Sequence, residues 1–138
     1  MINSISKPHI FNLSGHSNRS GNLTFFEGNE LFPFPIHRSF WIRNVAVGNK
    51  RGIHAHKKEN QVLVAINGNV TVSLTDISGE SYIFELNSPD LALYIPAMIW
   101  SEVQFGQDVI LLGLSDRAFD ENDYIRDKKE FEKLQQAY

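Results

Sequence analysis

Apolar and polar residues alternate along much of this chain. Val70–Asp76 (VTVSLTD) alternates, and so does Ser81–Leu86 (SYIFEL). Successive side chains of a strand point to opposite faces, so each run predicts a strand with one buried and one exposed face. Residues 60–66 (NQVLVAI) open with two amides, are then apolar at every position, and predict a strand buried on both faces. Between these runs, Asn67-Gly68-Asn69 is a hairpin signal. The segments ISGE (77–80) and NSPD (87–90) turn the chain, and LALYIP (91–96), SEVQF (101–105) and VILLGLS (109–115) predict further strands. Short strands about 8–12 residues apart with turns between them predict an all-β sandwich or barrel.

The N-terminal part is less regular. Residues 1–13 alternate loosely and predict an edge strand, while SGHSNRSGN (14–22) is small and polar and predicts a loop. LTFFEG (23–28) predicts a short strand ended by Gly28. FPFPI (32–36) holds two prolines and predicts an extended connection, because proline cannot donate to a sheet ladder. SFWIRNVAV (39–47) predicts a strand and GNKRG (48–52) a turn. Only the tail has helical character. From Asp127, DKKEFEKLQQAY is rich in helix formers, with Phe131, Leu134 and Tyr138 as a partial apolar stripe. Without repeats or low-complexity tracts, residues 1–138 read as one domain with a C-terminal helix over 127–138.

Composition narrows the functional classes. A 42 % hydrophobic and 21 % charged chain builds an ordinary core. Ten phenylalanines predict a wide, aromatic-lined interior around a pocket. A net charge of −3 gives no basic surface for a nucleic-acid partner. The absence of cysteine excludes disulfides, thiolate metal ligands and a cysteine nucleophile. The start, MINSISKPHIFNL, lacks the basic and apolar regions of a signal peptide, and no apolar run approaches the roughly 18 residues of a membrane span. A cytoplasmic protein with no membrane partner is expected.

The chemistry concentrates in Gly52-Ile-His54-Ala-His56-Lys-Lys-Glu-Asn-Gln61, followed by Gly68. In a strand, His54 and His56 share one face. Two imidazoles on an interior face are costly unless they have partners or a task. The spacing resembles the first cupin motif, His-x-His followed by a glutamate and then a glycine. Pro96 fits the second cupin motif. Gln61 stands where that family has its glutamate, and Ser101 where it has a third histidine. With two ligands replaced, no metal site is expected.

Three longer runs, RGIHAHKKENQVLVAINGNV, LNSPDLALYIPAMIWSEV and LSDRAFDENDYIRD, with GNLTFFEG and PFPIHRSFWI upstream, cover roughly 18–131. Together they resemble the sugar-nucleotide 3,4-ketoisomerases, WxcM-like cupins acting on dTDP-4-keto-6-deoxyglucose. The resemblance implies a cupin jelly roll (a double-stranded β-helix) and a reaction without metal or cofactor. A base removes the C3 proton, an enediolate forms, and a proton returns at C4. The base maps to His54, and His56 is placed to help proton traffic. Imidazole suits this work because its pKa lies near the working pH. Arg51 is a candidate for the diphosphate or the developing oxyanion. Gln61, Trp100, Tyr124 and Arg126 join the substrate-binding set. Family members are homodimers in which N-terminal strands join the partner's sheet, which would make residues 1–13 an exchanged edge strand.

Three positions depart from the pattern. Phe40 stands where the family has a tyrosine of the catalytic cluster, and Ser20 and Ser101 are small where the family carries large residues tied to stereochemistry. These departures keep a second reading open, a binding module that retains the sugar-nucleotide pocket without turnover. A third is a weak metal cupin using His54, His56 and Gln61. Plainer roles stand beside the functional ones. Trp100 reads equally as core, Arg51 as a solvated turn residue, and Tyr124 with Arg126 as pins for the C-terminal segment. Lys57 and Lys58 read as solvated.

Overall fold

The computed structural model describes residues 7–28 and 32–138. Its strands are β1 (His9–Asn12), β2 (Ser14–Asn18), β3 (Gly21–Phe25), β4 (Arg38–Ile42), β5 (Lys50–His56) and β6 (Gln61–Asn67). They continue with β7 (Val70–Asp76), β8 (Ser81–Leu86), β9 (Leu91–Ile95), β10 (Ile99–Phe105), β11 (Ile110–Ser115) and β12 (Tyr124–Ile125). One helix, α1 (Lys128–Ala137), ends the chain. Two five-stranded antiparallel sheets, ordered β1-β9-β6-β11-β4 and β12-β5-β10-β7-β8, make the jelly roll that the strand pattern predicts.

The two patterns of apolar residues have separate causes. β7 buries Val70, Val72 and Leu74 against the other sheet and leaves its alternate positions at least partly exposed. β6 is buried on both faces. Leu63 and Ala65 join Leu93, Leu111, Val103 and Phe105 between the sheets, while Val62 and Val64 pack outside. The expected aromatic lining is met in part, by Phe40, Phe105 and Phe119 around a cavity between the sheets, while other rings lie outside. Phe11, Phe26, Phe32 and Phe34 gather on the outer face around Tyr94, at ring separations of 5.3–6.3 Å. Composition counts aromatic rings but carries no information about which face of a sheet they cover.

Several boundaries differ from the sequence reading. Residues 14–22 are not a loop. Most of them form the β2–β3 hairpin, which turns at Arg19-Ser20 into Gly21 at φ +124°. Its first strand is exposed throughout, so it shows no hydrophobic alternation to read. The strand expected over 39–47 stops at Ile42, with Asn44 at φ 63° breaking the extended backbone. The turn expected over 48–52 is shorter, and β5 begins at Lys50. Segment His9–Asn12 of the expected exchanged strand pairs with β9 of its own chain, and residues 1–6 lie outside the described residues.

A bulge in β5 positions the site. Opposite β10, Ser101 pairs with His54 and Val103 with Arg51, so three steps on β5 match two on β10. Gly52 takes up the extra residue at φ +65°, a conformation that costs a side chain strain. Without the bulge Arg51 and His54 would face opposite ways; with it both face inward. The Ser101 hydroxyl locks the arrangement by donating to the Gly52 carbonyl at 2.6 Å.

The C-terminal helix starts where expected. Asp127 caps it, its carboxylate accepting from the Lys129 amide at 3.0 Å. Of the expected stripe only Phe131 is buried, with Trp100 6.0 Å away between ring centres, while Tyr138 is 80 % exposed. Since Phe131 is the helix's single buried anchor, Phe131→Ala is expected to cost about 3–5 kcal/mol, seen as a lower urea midpoint at unchanged slope.

Candidate active site

A cavity of about 460 Å³ opens between the sheets. His54 and His56 lie on its β5 wall, ring centroids 4.8 Å apart and nearly perpendicular. β12 runs beside β5 with Tyr124 opposite His56, which brings the phenol ring 4.9 Å from His54 and 4.3 Å from His56. The Arg126 guanidinium lies 4.1 Å over the Tyr124 ring and is held by Glu121 at 2.6 and 2.9 Å. Arg51 and Phe40 line other walls.

His56 is buried, and both its ring nitrogens face protein. Nε2 lies 3.3 Å from the Gln61 amide nitrogen. That amide also donates to the Glu59 carboxylate, which Arg38 grips at 3.1 to 3.3 Å. Glu59 therefore fixes which way Gln61 points, since its amide oxygen would meet a carboxylate oxygen if reversed. Gln61 presents an N–H to His56, so His56 Nε2 accepts and the ring proton sits on Nδ1. Nδ1 faces Asp123 Oδ2 at 3.3 Å in a bent contact. Asp123 is itself fixed, accepting from the backbone amides of Lys58 at 2.9 Å and Glu59 at 3.1 Å.

These environments set the protonation states. Burial, the neighbouring His56 and the Arg126 charge lower the His54 pKa to about 4, against a small opposing pull from Glu121. Burial also lowers His56, although Glu59 and Asp123 pull the other way. Both rings are neutral at pH 7, and burial raises the Tyr124 pKa, so its proton stays on.

Eight of the ten sequence candidates line the cavity, namely His54, His56, Arg51, Gln61, Ser101, Phe40, Tyr124 and Arg126. Two do not. Trp100 alternates with Ser101 on β10, so with Ser101 facing the cleft Trp100 points the other way, into a buried cluster with Ala55, Ile125 and Phe131. Ser20 sits exposed in the β2–β3 turn, outside the lining. Ser101 spends its hydroxyl on the bulge, and Phe40 packs against Gly113, where an added Cβ would come within 2.1 Å of its ring. Arg38, Glu59 and Asp123 were missed. Glu59 follows Lys57 and Lys58 and looks like part of a solvated charge run, yet its side chain is 2 % exposed.

The donor set does not suit a cation. His56, Glu59 and Asp123 offer ligand atoms within 4.8 Å of one another. Glu59 is already neutralised by Arg38, Asp123 is engaged by two backbone amides, and Gln61 turns its nitrogen rather than its oxygen toward His56.

The model of the family described as FdtA: WxcM-like, C-terminal, matches residues 6–136. This chain belongs to that family. The TDP-4-oxo-6-deoxy-alpha-D-glucose-3,4-oxoisomerase of Aneurinibacillus thermoaerophilus is 39 % identical over 114 residues, 82 % of this chain and 81 % of that protein. QdtA of Thermoanaerobacterium thermosaccharolyticum, a sugar 3,4-ketoisomerase solved in complex with TDP, superposes with a TM-score of 0.86 at 34 % identity, over 95 % of this chain and 96 % of that one. A histidine-to-asparagine variant of QdtA, solved with TDP-4-keto-6-deoxyglucose, gives a TM-score of 0.86 at 33 % identity over the same shares.

The half-buried His54 imidazole of this WxcM-like protein makes stability depend on pH. His54 has a folded pKa of about 4, below its unfolded value of 6.5. The unfolded chain therefore binds the extra proton first, and the contribution of neutral His54 is complete above pH 6.5 and lost as pH falls toward 4. Thermal melts between pH 7 and 4 should show a smaller decline for His54→Asn than for the unsubstituted protein, and the His54 ring signals should titrate near pH 4 by NMR.

Proposed function

We propose that this protein is a TDP-sugar 3,4-ketoisomerase of deoxysugar biosynthesis, with His54 as its base. The observation that carries this reading is a neutral, half-buried His54 in a cavity of about 460 Å³, with Arg51 and Arg126 in its lining. A neutral imidazole can accept a proton, and arginines suit a diphosphate and an enediolate oxygen. The substrate is a TDP-linked 4-keto-6-deoxy sugar. Its ketone acidifies the C3 proton, which His54 takes; an enediolate forms; and a proton delivered to C4 leaves the ketone at C3. A pKa near 4 makes an empty-site His54 a weak base, and the diphosphate's negative charge raises it toward working pH. His56, whose nitrogens face Gln61 and Asp123 rather than the cavity, holds the base in place and does not exchange protons with the sugar.

Among the described residues, no helix is long and apolar enough to cross a membrane. The reading as a TDP-sugar isomerase supports a cytoplasmic location. A homodimer is supported by apolar side chains left open on the outer face of the β6 sheet, where Trp41 is 61 % and Ile66 45 % exposed beside a groove lined by Leu13, Phe25 and Leu112. Sedimentation should give twice the chain mass, and Ile66→Glu should shift the protein toward monomer; a monomer before substitution refutes the dimer.

In deuterated buffer with TDP-4-keto-6-deoxyglucose, proton NMR should show loss of the C3 signal and growth of a 3-keto product. His54→Asn should remove both while keeping TDP affinity within a few-fold. Full exchange in that variant would take the base role from His54.

A further inference from the structure

The ketoisomerase reading leaves one transfer without an agent. Moving a ketone from C4 to C3 also moves a proton from the C3 oxygen to the C4 oxygen, and a base working at carbon does not do this alone. The cavity lining restricts the choice. His56 has both nitrogens turned to Gln61 and Asp123. The Ser101 hydroxyl donates to the Gly52 carbonyl, Glu59 is gripped by Arg38, and Phe40 has no exchangeable proton. Arginine keeps its proton at any working pH. Among the described residues that line the cavity, the Tyr124 hydroxyl remains: it has no hydrogen-bond partner, and its ring touches that of His54 at 4.9 Å.

We propose that Tyr124 is a catalytic acid that carries the proton between the C3 and C4 oxygens while His54 works at carbon. The steps balance as follows. His54 takes the C3 proton, the C3–H electrons form the C3–C4 double bond, and the C4 oxygen receives the phenolic proton. The phenolate then takes the C3 hydroxyl proton, the double bond reopens toward C4, and protonated His54 gives its proton to C4. Enzyme and proton count end as they began, with no oxidant or reductant. Two vicinal oxygens lie close enough for one hydroxyl to serve both.

The surroundings suit a proton that leaves only briefly. Burial, Glu59 and Glu121 keep it on the phenol, while Arg38 and Arg126 favour its departure. Arg126, 4.1 Å over the ring and braced by Glu121, stabilises the phenolate as it forms. His54 and His56 on β5 are the other titratable groups against the ring, both neutral at pH 7.

The test compares Tyr124→Phe with His54→Asn on TDP-4-keto-6-deoxyglucose in deuterated buffer, following C3 exchange and product separately. Tyr124→Phe should lower kcat about 100-fold or more, keep TDP affinity within about two-fold of the unsubstituted protein as ring contacts survive, and lose product faster than exchange. His54→Asn should lose both. As a second probe, 3,5-difluorotyrosine at position 124, a more acidic phenol, should move the alkaline limb of the kcat profile to lower pH. Unchanged kcat, a loss confined to KM and TDP affinity, parallel loss of exchange and product, or an unmoved limb would each overturn the role of Tyr124. An unsubstituted protein showing neither exchange nor product would instead remove the ketoisomerase reading on which this rests.

Discussion

The site hangs on one buried carboxylate. Asp123 accepts the backbone amides of Lys58 and Glu59, its own carbonyl accepts from Lys57 at 2.9 Å, and its side chain faces His56. These contacts fasten the segment before α1 to the β5–β6 connection. The fastening sets Tyr124 opposite His56 and turns the Glu59 carboxylate inward to Arg38 and Gln61. A buried charge survives only when its partners are complete, and here hydrogen bonds from backbone amides supply most of them. One short tail segment thus contributes both the tether and the ring that closes the site.

From that anchor a chain of polar contacts runs through the interior. Arg38 meets Glu59, Glu59 meets the Gln61 amide, Gln61 meets His56, and His56 meets Asp123. Each link removes a choice from the next: which way an amide points, which nitrogen holds a proton. The result is a motif histidine that is committed and a neighbour, His54, that is not. The resemblance to the sugar-nucleotide 3,4-ketoisomerases reads the pair as two partners in proton transfer. Their surroundings differ: the nitrogens of His56 face Gln61 and Asp123, whereas His54 lines the cavity beside Tyr124.

Much of this was legible from the chain. The strands from β6 to β11 follow from period-two alternation and turn residues, and His54 with His56 stands out because two residues apart on a strand means one face. Three kinds of information were hidden. Strand β2 is polar on both faces and held to β3 by backbone bonds, so hydrophobicity says nothing about it. The burial of Glu59 depends on Arg38 and Asp123, each far away in sequence. The side taken by Trp100 depends on which phase of β10 faces the cleft, and the sequence places Trp100 and Ser101 side by side without saying which turns inward. The motif-level resemblance did pick out Tyr124 and Arg126, which line the cavity, without saying what they touch.

The bulge at Gly52 divides β5 into two independent phases. Downstream of it, the histidine face is set by the pairing of His54 with Ser101; upstream, the arginine face is set by the pairing of Arg51 with Val103. A strand of regular pleat would force a cation three residues before the first histidine onto the opposite side of the sheet. The single glycine works as a phase shifter. It lets one continuous strand present both a guanidinium and an imidazole to the same cleft.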